Sequence, residues 1–323
     1  MRKLRVLSLF SGIGAFEKAL STLNINYELV NYCEKEKNIA KSFSILHNVS
    51  EEKNLGDITN VDEKNIPNFD LMTWGFPCVN FSKANRNKNE NRNGLDNKDS
   101  GLYFEGMRIL RHKKPKYSII ENVADLATDD KFKAHFELIL SDLEREGYNS
   151  YVNIMNAREY GLPQNRIRLF IVSIRKDVDD NSFTFPNTKE LKVNAKDLLD
   201  DIVEDKFMKV NPNIIEKIKT RKLKSLDILP TITKAIGRGG SSGEYISNCA
   251  FIYKNTGVLR RMTPKETMLF MGFNKEDYFR LKQNGISDTV IFNMSGNSIC
   301  VCVIEEIYNI LLKDYKINKN IIN

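Results

Sequence analysis

The sequence predicts an α/β domain with a mostly parallel sheet, joined to a smaller, irregular β-rich unit. Three observations predict it. Short apolar runs alternate with segments of helical spacing through the first half of the chain. Gly12 and Gly14 stand where the first strand-like run passes into the first helix-like one. Near Phe185 the alternation stops, and the chain turns polar and lysine-rich before a glycine-rich stretch.

Each element has its own justification. RVLSLF, from Arg5 to Phe10, is a short apolar run ending at glycines, hence a strand. AFEKALSTL, from Ala15 to Leu23, places Phe16, Ala19, Leu20 and Leu23 at helical spacing. YELVNYCE (27–34) reads as the next strand and NIAKSFSILH as the next helix. DLMTWGF (70–76) is a strand, YFEGMRILRHKKP a helix and YSIIENV a strand. HFELILSDLEREG is a helix closed by Gly147, and RLFIVSIR is a late strand. After the polar stretch, GNSICVCVIEEIYNILLKDY regains helical character and is expected to pack back on the first domain. The expected division is therefore a catalytic and cofactor-binding domain at 1–184 and 290–323, with 185–289 as the second unit and hinge.

Composition narrows the class. A chain of 323 residues, 41% hydrophobic, can bury one large domain or one domain plus a smaller one. A net charge of +7 suits contact with a polyanion over part of the surface, and equally suits a basic protein with no anionic partner. Five cysteines, an odd number with no CxxC pair, predict no disulfide framework and a reducing compartment. Cys300 and Cys302 have no histidine near them in sequence, so no metal site is expected. The N-terminus does not read as a cleaved signal, and no apolar run approaches the ~20 residues that span a bilayer. These features predict a soluble, cytoplasmic protein with no membrane association.

Chemistry-bearing residues gather at predicted strand ends. Gly12 and Gly14 let backbone approach a ligand, and the helix behind them offers free amides. The spacing lacks the third glycine of a dehydrogenase fingerprint. Glu34, about twenty residues beyond Gly14, can take both hydroxyls of a ribose, and Asp57 suits an adenine amino group. Each could instead be a solvated carboxylate; taken in order they point to an adenosine-type cofactor. Pro77 stiffens the turn into Cys78. Neighbouring amides or arginines there could lower the thiol pKa, although burial as a structural cysteine is the commoner fate. Glu121 and Asn122 end an apolar strand, Arg166 and Arg168 are two apart, and Gly296–Ile299 forms a polar turn before the last helix. A thiol, a carboxylate and an arginine pair at one sheet edge can activate a heteroaromatic ring.

The order of these motifs resembles that of the DNA cytosine-5 methyltransferases. FSGIGA resembles the family's cofactor loop, GFPCVNFS its nucleophile motif, ENV its base-binding carboxylate and QNRIR its arginine motif. RRMTPKE and GNSICVCVI resemble its later motifs, and the unmatched stretch from about Pro186 to Val258 falls where the family carries its variable target-recognition region. The resemblance implies a Rossmann-like fold that uses S-adenosylmethionine and releases S-adenosylhomocysteine. It implies that Cys78 attacks carbon 6 of a cytosine and that Glu121 holds ring nitrogen 3. Arg168, with Arg166, would support the ring carbonyl and Glu121. Phe10, Gly12, Ile13, Gly14, Glu34, Asp57, Ile58, Pro77, Leu102, Asn297 and Ser298 would line the cofactor pocket. Three positions depart from the family pattern: Val79 after the nucleophile, Ser8 at the end of the first strand and Lys35 after Glu34.

The implied partner is double-stranded DNA, met by a monomer, with any cognate restriction endonuclease acting separately. A duplex cytosine must be flipped out for this chemistry. The polar loop from Ser82 to about Asp99 would close over DNA, with Ser82 near a phosphate and Lys83, Arg86 and Arg92 along the backbone; it also reads as an ordinary surface loop. Base reading would fall to Thr231, Thr233 and Arg238, with Gly239 and Gly240 permitting close approach. Arg238 reads equally as a phosphate contact, and the lysines from Lys217 to Lys224 as phosphate-facing or solvated. The competing readings are a tRNA cytosine-5 methyltransferase, a nucleic-acid-binding protein with an inactive site, and a nicotinamide dehydrogenase.

Overall fold

The computed structural model describes residues 3–78, 81, 94–96, 101–209, 228–234, 251–253 and 259–316. Leu4, Val6, Leu7 and Leu9 are all buried, and the run Leu4–Leu9 forms β1, an interior strand of the sheet with both faces covered. Helix α1 (Ala15–Thr22) turns Phe16, Ala19 and Leu20 inward. β2 (Tyr27–Cys33), α2 (Lys37–His47), β3 (Leu71–Trp74), α3 (Leu102–Lys113) and β4 (Tyr117–Val123) continue the rhythm. After the short α4 (Asp125–Thr128), α5 (Lys133–Arg145) ends just before Gly147, whose φ of +91° is the left-handed conformation expected of a helix terminator.

Three more strands complete this half: β5 (Tyr148–Asn156), the two-residue β6 (Gln164–Asn165) and β7 (Ile167–Arg175). The main sheet has the order β2-β1-β3-β4-β7-β5. Neighbours from β2 to β4 are parallel, while β7 runs against both β4 and β5. The mostly parallel sheet is as expected. β5 was not anticipated, because it is an edge strand whose polar Asn149, Ser150 and Asn153 sit among exposed Val152 and Ile154, so no buried alternation marks it.

Two cores cover the two faces. One contains Trp74, Tyr103, Met107, Ile139 and Leu143, with Trp74 stacked on Tyr103 and its indole N–H donating to Ser118 Oγ at 2.9 Å. The other gathers Phe16, Leu20 and Phe43 with residues from the far end of the chain. There, beyond α6 (Asp205–Met208), β8 (Leu229–Pro230), β9 (Phe251–Tyr253) and β10 (Leu259–Arg261), four helices follow: α7 (Pro264–Leu269), α8 (Lys275–Gln283), α9 (Asp288–Asn297) and α10 (Val301–Leu311). α10 packs on α1, as expected for the closing helix.

The expected boundary at 289/290 does not match this packing. It cuts through α9, and Met268, Phe270, Met271, Leu281 and Ile286 lie in the same core as α1 and α2. Apolar spacing in α7 and α8 is short and broken by Gly272 and Gly285, so their allegiance to the first core is a tertiary fact. Among the described residues, no single helix is long and apolar enough to cross a membrane.

Candidate active site

The strand ends converge. β1 runs into the glycine loop, β2 into Glu34, β3 into Gly75–Cys78, and β4 carries Glu121 near its carboxyl end. This is the edge at which open α/β sheets bind ligands.

At the first corner, Gly12 N–H donates to Glu34 Oε2 at 3.1 Å, and Glu36 N–H donates to Glu34 Oε1 at 2.9 Å. Burial pushes the Glu34 carboxyl above its usual range, and these amides oppose the shift. A side chain at Gly12 would meet nothing within 4 Å, so the loop leaves open space there, whereas Gly14 is closely backed. A Cβ on Gly14 would lie 2.1 Å from His47 Nε2. His47 is held neutral, its pKa pushed down to about 4 mainly by burial, and its Nε2 lies 2.9 Å from the carbonyl of Ile13. A neutral ring facing a carbonyl must carry its proton on that nitrogen, so His47 donates to the loop. Ile13 meets the loop through this backbone carbonyl, its side chain being buried in the core.

Phe10 sits at φ +52° at the turn, Ile58 is buried and Leu102 opens α3. Asp57 is already engaged: Oδ1 accepts from the Thr59 amide and hydroxyl, and Oδ2 pairs with Lys35 at 2.7 Å. The Lys35 bond and these hydrogen bonds hold its pKa at about 2. Lys35, noted as a departure from the family pattern, is thus the partner of the acid expected to face adenine.

At the second corner, β3 delivers the nucleophile candidate. Asn122 Nδ2 donates to the Phe76 carbonyl at 3.2 Å, fastening the loop before Cys78 to β4. Phe81 N–H donates to the Cys78 carbonyl at 2.9 Å. Phe76 and Phe81 are buried among Trp74, Tyr103 and Phe132. The thiol pKa is raised, against the expectation of a lowered one: burial outweighs the opposing pull of Arg168 and Arg166, and the Glu121 charge adds to the rise.

Arg168 and Arg166 part company. Arg168 Nε lies 3.1 Å from Glu121 Oε1. Burial raises the Glu121 pKa and Arg168 is the chief opposing influence. Arg166 instead turns into the protein, donating to the carbonyls of Ile232, Gly296 and Ser298. Burial pulls its pKa down to about 10, which still leaves it charged at neutral pH. Its expected contact with the ring carbonyl is therefore replaced by backbone contacts, because three carbonyl acceptors surround its side chain. Ser298 is buried and held by that bond, while Asn297 is exposed with its amide on Asn293 Oδ1.

The DNA-facing expectations fare differently. Ser82, Lys83, Arg86, Arg92, Arg238, Gly239, Gly240, Val79 and the lysines from Lys217 to Lys224 lie outside the described residues. Within the polar loop, Leu95 is buried in the core that holds Trp74 and Tyr103. Thr231 and Thr233, expected to face bases, point inward. Thr231 Oγ1 donates to the Asn165 carbonyl at 2.5 Å, and Thr233 Oγ1 is buried. Both follow β8, whose pairing with β6 turns this segment onto the protein. Gln164 and His47 were missed as organising residues. Gln164 lay inside the QNRIR motif, whereas nothing in the sequence marked His47.

The family profile described as C-5 cytosine-specific DNA methylase matches residues 4–313. The chain belongs to that family. This methylase is similar to the orphan methyltransferase M.SPRI of Bacillus phage SPR, with 27% identity and 99% of each chain covered. It is also similar to the type II methyltransferase M2.ScrFI of Lactococcus lactis subsp. cremoris, with 30% identity over 96% of this chain and 99% of that one. In fold it resembles the Entamoeba histolytica methyltransferase EhMeth, with a TM-score of 0.75, 20% identity, and 98% and 100% of the two chains covered. As a member of its family the methylase is a DNA cytosine-5 methyltransferase, and such enzymes use S-adenosylmethionine. The first corner suits that group: a carboxylate at the end of β2, fixed by backbone amides, faces a loop with open space over Gly12.

Proposed function

We propose that this methylase modifies one cytosine within a specific duplex DNA site, by flipping the base out and adding Cys78 to its carbon 6. The observation that carries the reading is the trio at one sheet edge: Cys78 at the end of the β3 loop, Glu121 on β4, and Arg168 on β7 paired to Glu121.

The chain's own groups supply the following work. Glu121, with its pKa raised, shares its proton with ring nitrogen 3 as the sulfur bonds to carbon 6. Arg168 keeps the carboxyl in place and stabilises the charge that develops beside it. The thiol gives its proton to solvent as the sulfur adds to carbon 6, and the resulting enamine makes carbon 5 nucleophilic. S-adenosylmethionine supplies the electrophilic methyl group, leaving as S-adenosylhomocysteine. Loss of the carbon-5 proton to water expels the sulfur as thiolate, and ring nitrogen 3 returns its proton to Glu121, which restores the ring. The cofactor would be held by Phe10, Gly12, Ile13, Gly14, Glu34, Asp57, Ile58, Pro77 and Leu102, with Asn297 and Ser298 closing the pocket. No step in this scheme requires a metal.

The partner is double-stranded DNA, bound by a cytoplasmic monomer. DNA contact is assigned to the polar loop at 82–99, and base reading to Arg238 with Gly239 and Gly240, since Thr231 and Thr233 are turned into the protein. The biological role is protection of host DNA in a restriction–modification system, with the endonuclease a separate protein. The type II name of M2.ScrFI favours this role; M.SPRI carries an orphan name. Bisulfite sequencing of DNA from cells expressing the chain tests the reading. Conversion-resistant cytosines confined to one short motif, and lost with Cys78→Ala, are the predicted result. Unmodified DNA, or modification that survives Cys78→Ala, would refute it.

A further inference from the structure

Gln164 and Arg166 sit two residues apart on the chain that leads to Arg168, and neither touches the cluster of Cys78 and Glu121 by a hydrogen bond. Both are buried, at 0% and 3% exposure. One polar atom of each engages the segment 229–234. Gln164 Oε1 accepts the Ile232 amide at 2.9 Å, while Gln164 Nε2 donates to the Phe270 carbonyl at 2.8 Å. Arg166 donates to the Ile232 carbonyl at 2.8 Å from one terminal nitrogen and to the Gly296 and Ser298 carbonyls from the other. Ile232 thus has its amide and its carbonyl held by two side chains of one strand segment.

The backbone extends the same contact. β6 and β8 pair in parallel, Gln164 with Leu229 and Asn165 with Pro230, and Leu229 N–H donates to the Pro163 carbonyl at 2.8 Å. Gly296 completes it from the other side: a Cβ there would lie 2.1 Å from Lys234 N and 2.3 Å from the Thr233 carbonyl carbon. Only glycine admits the segment at this approach. Buried hydrogen bonds of this kind fix one register, because each lost partner leaves a desolvated group behind.

Resting on the function proposed above, we propose that Gln164 and Arg166 are positioning residues for target recognition. They bolt the root of the base-reading segment to the strand that carries Arg168. Residue 234 is the last before the stretch that contains Arg238, so the point at which that stretch leaves the catalytic domain is set by this bracket. Recognition and chemistry are then in register: a DNA site seated by the one presents its cytosine to the other.

The test uses the full chain and, as substrate, a duplex bearing the motif found by bisulfite sequencing, alongside the same duplex with one neighbouring base pair changed. Wild-type turnover is measured first; no methyl transfer to any DNA would strike the function, not the bracket. Arg166→Lys keeps the charge but cannot reach three carbonyls in two directions. The expected result is a KM for DNA raised at least about tenfold and discrimination between the duplexes reduced about tenfold or more, as for a lost recognition contact. Because Arg166 also holds the Ser298 carbonyl, the dissociation constant for S-adenosylmethionine is measured in parallel, and a loss confined to cofactor affinity would overturn the proposal. Unchanged discrimination with a displaced kcat–pH profile would overturn the proposal in favour of direct catalysis by Arg166. Unchanged kinetics would overturn it outright. Should Arg166→Lys fail to fold, two readouts remain. Gly296→Ala leaves both side chains intact while wedging the segment away, and must show the same loss of discrimination. In the wild-type protein the Ile232 amide must be protected from hydrogen exchange, and free exchange there would contradict the bracket.

Discussion

Glu121 and Cys78 are two acids under the influence of the same two arginines, of which Arg168 is paired to Glu121. Burial raises both pKa values, and Arg168 is the largest opposing influence on each. The mechanism needs a thiolate and a protonated or proton-sharing carboxyl, so a proton must leave the sulfur while one stays near Glu121. Glu121→Gln keeps the size of the side chain but offers no acidic proton. It should lower kcat by about 10²–10⁴-fold, the usual weight of general acid–base help, with DNA affinity nearly unchanged. Rapid-quench methyl transfer beside a filter-binding assay checks both halves; unaltered turnover would remove Glu121 from its role. A second buried carboxyl, Glu17 on α1, lies outside the site. Among the described residues neither of its oxygens has a hydrogen-bond partner of normal geometry, and burial, opposed by its own backbone amide and by nearby Ser8, pushes its pKa from 4.5 to about 7. Above about pH 4.5 the unfolded chain releases this proton while the folded chain keeps it, so folding stability falls as pH rises. The loss levels off once pH passes about 7, when both states are ionised. Glu17→Gln should therefore match the wild type near pH 4 and exceed it by up to about 3 kcal/mol at pH 8. Urea denaturation at the two pH values checks this, and parallel curves for both proteins would contradict it.

At the level of the element, the loop between β1 and α1 is shaped from behind. Gly14 has φ +75° and faces the His47 ring, which occupies the space a side chain would need. Gly14→Ala must displace His47 or the loop, costing about 1–3 kcal/mol in overpacking, more with the unfavourable φ. Cofactor affinity should fall with stability, which isothermal titration and thermal denaturation can follow together; full affinity in the variant would show that His47 does not shape the loop. Legibility follows the same physics. Central strands such as Leu4–Leu9 and Tyr117–Val123 were readable because two covered faces demand apolar runs. β5 was not, since an edge strand tolerates Asn and Ser. The β6–β8 pair is two residues long and joins positions some 65 apart, so no local pattern announces it. The same contact explains the threonines: read alone, Thr231 and Thr233 are polar residues beside glycines, but paired to β6 they face protein. Arg166 was misplaced for a related reason. Alternation along a strand says which residues share a face, and not that one guanidinium finds carboxylate while its neighbour finds carbonyls.

For the molecule as a whole, sequential order and spatial order diverge. Helices α7 to α10 come late in the sequence yet pack into the core begun by α1 and α2, so residues on either side of the stretch 235–250 belong to one body. Motif order in the sequence was legible because the motifs sit at strand and helix ends of that body. The net charge of +7 belongs to this scale too. Association with duplex DNA should weaken steeply as salt rises from about 50 to 200 mM, through released counterions. A flat response in fluorescence anisotropy would argue against binding along the phosphate backbone.

The central claim is the transient bond between one sulfur and a flipped pyrimidine. An oligonucleotide duplex carrying 5-fluorocytosine at the methylated position cannot lose its carbon-5 substituent as a proton, so the addition product should persist after methyl transfer. Mass spectrometry of the digested complex should then find the oligonucleotide attached to the peptide containing Cys78, in wild-type protein and not in Cys78→Ala. A wild-type enzyme that methylates the unfluorinated duplex but yields no such adduct, or one that carries it on another residue, would contradict the account.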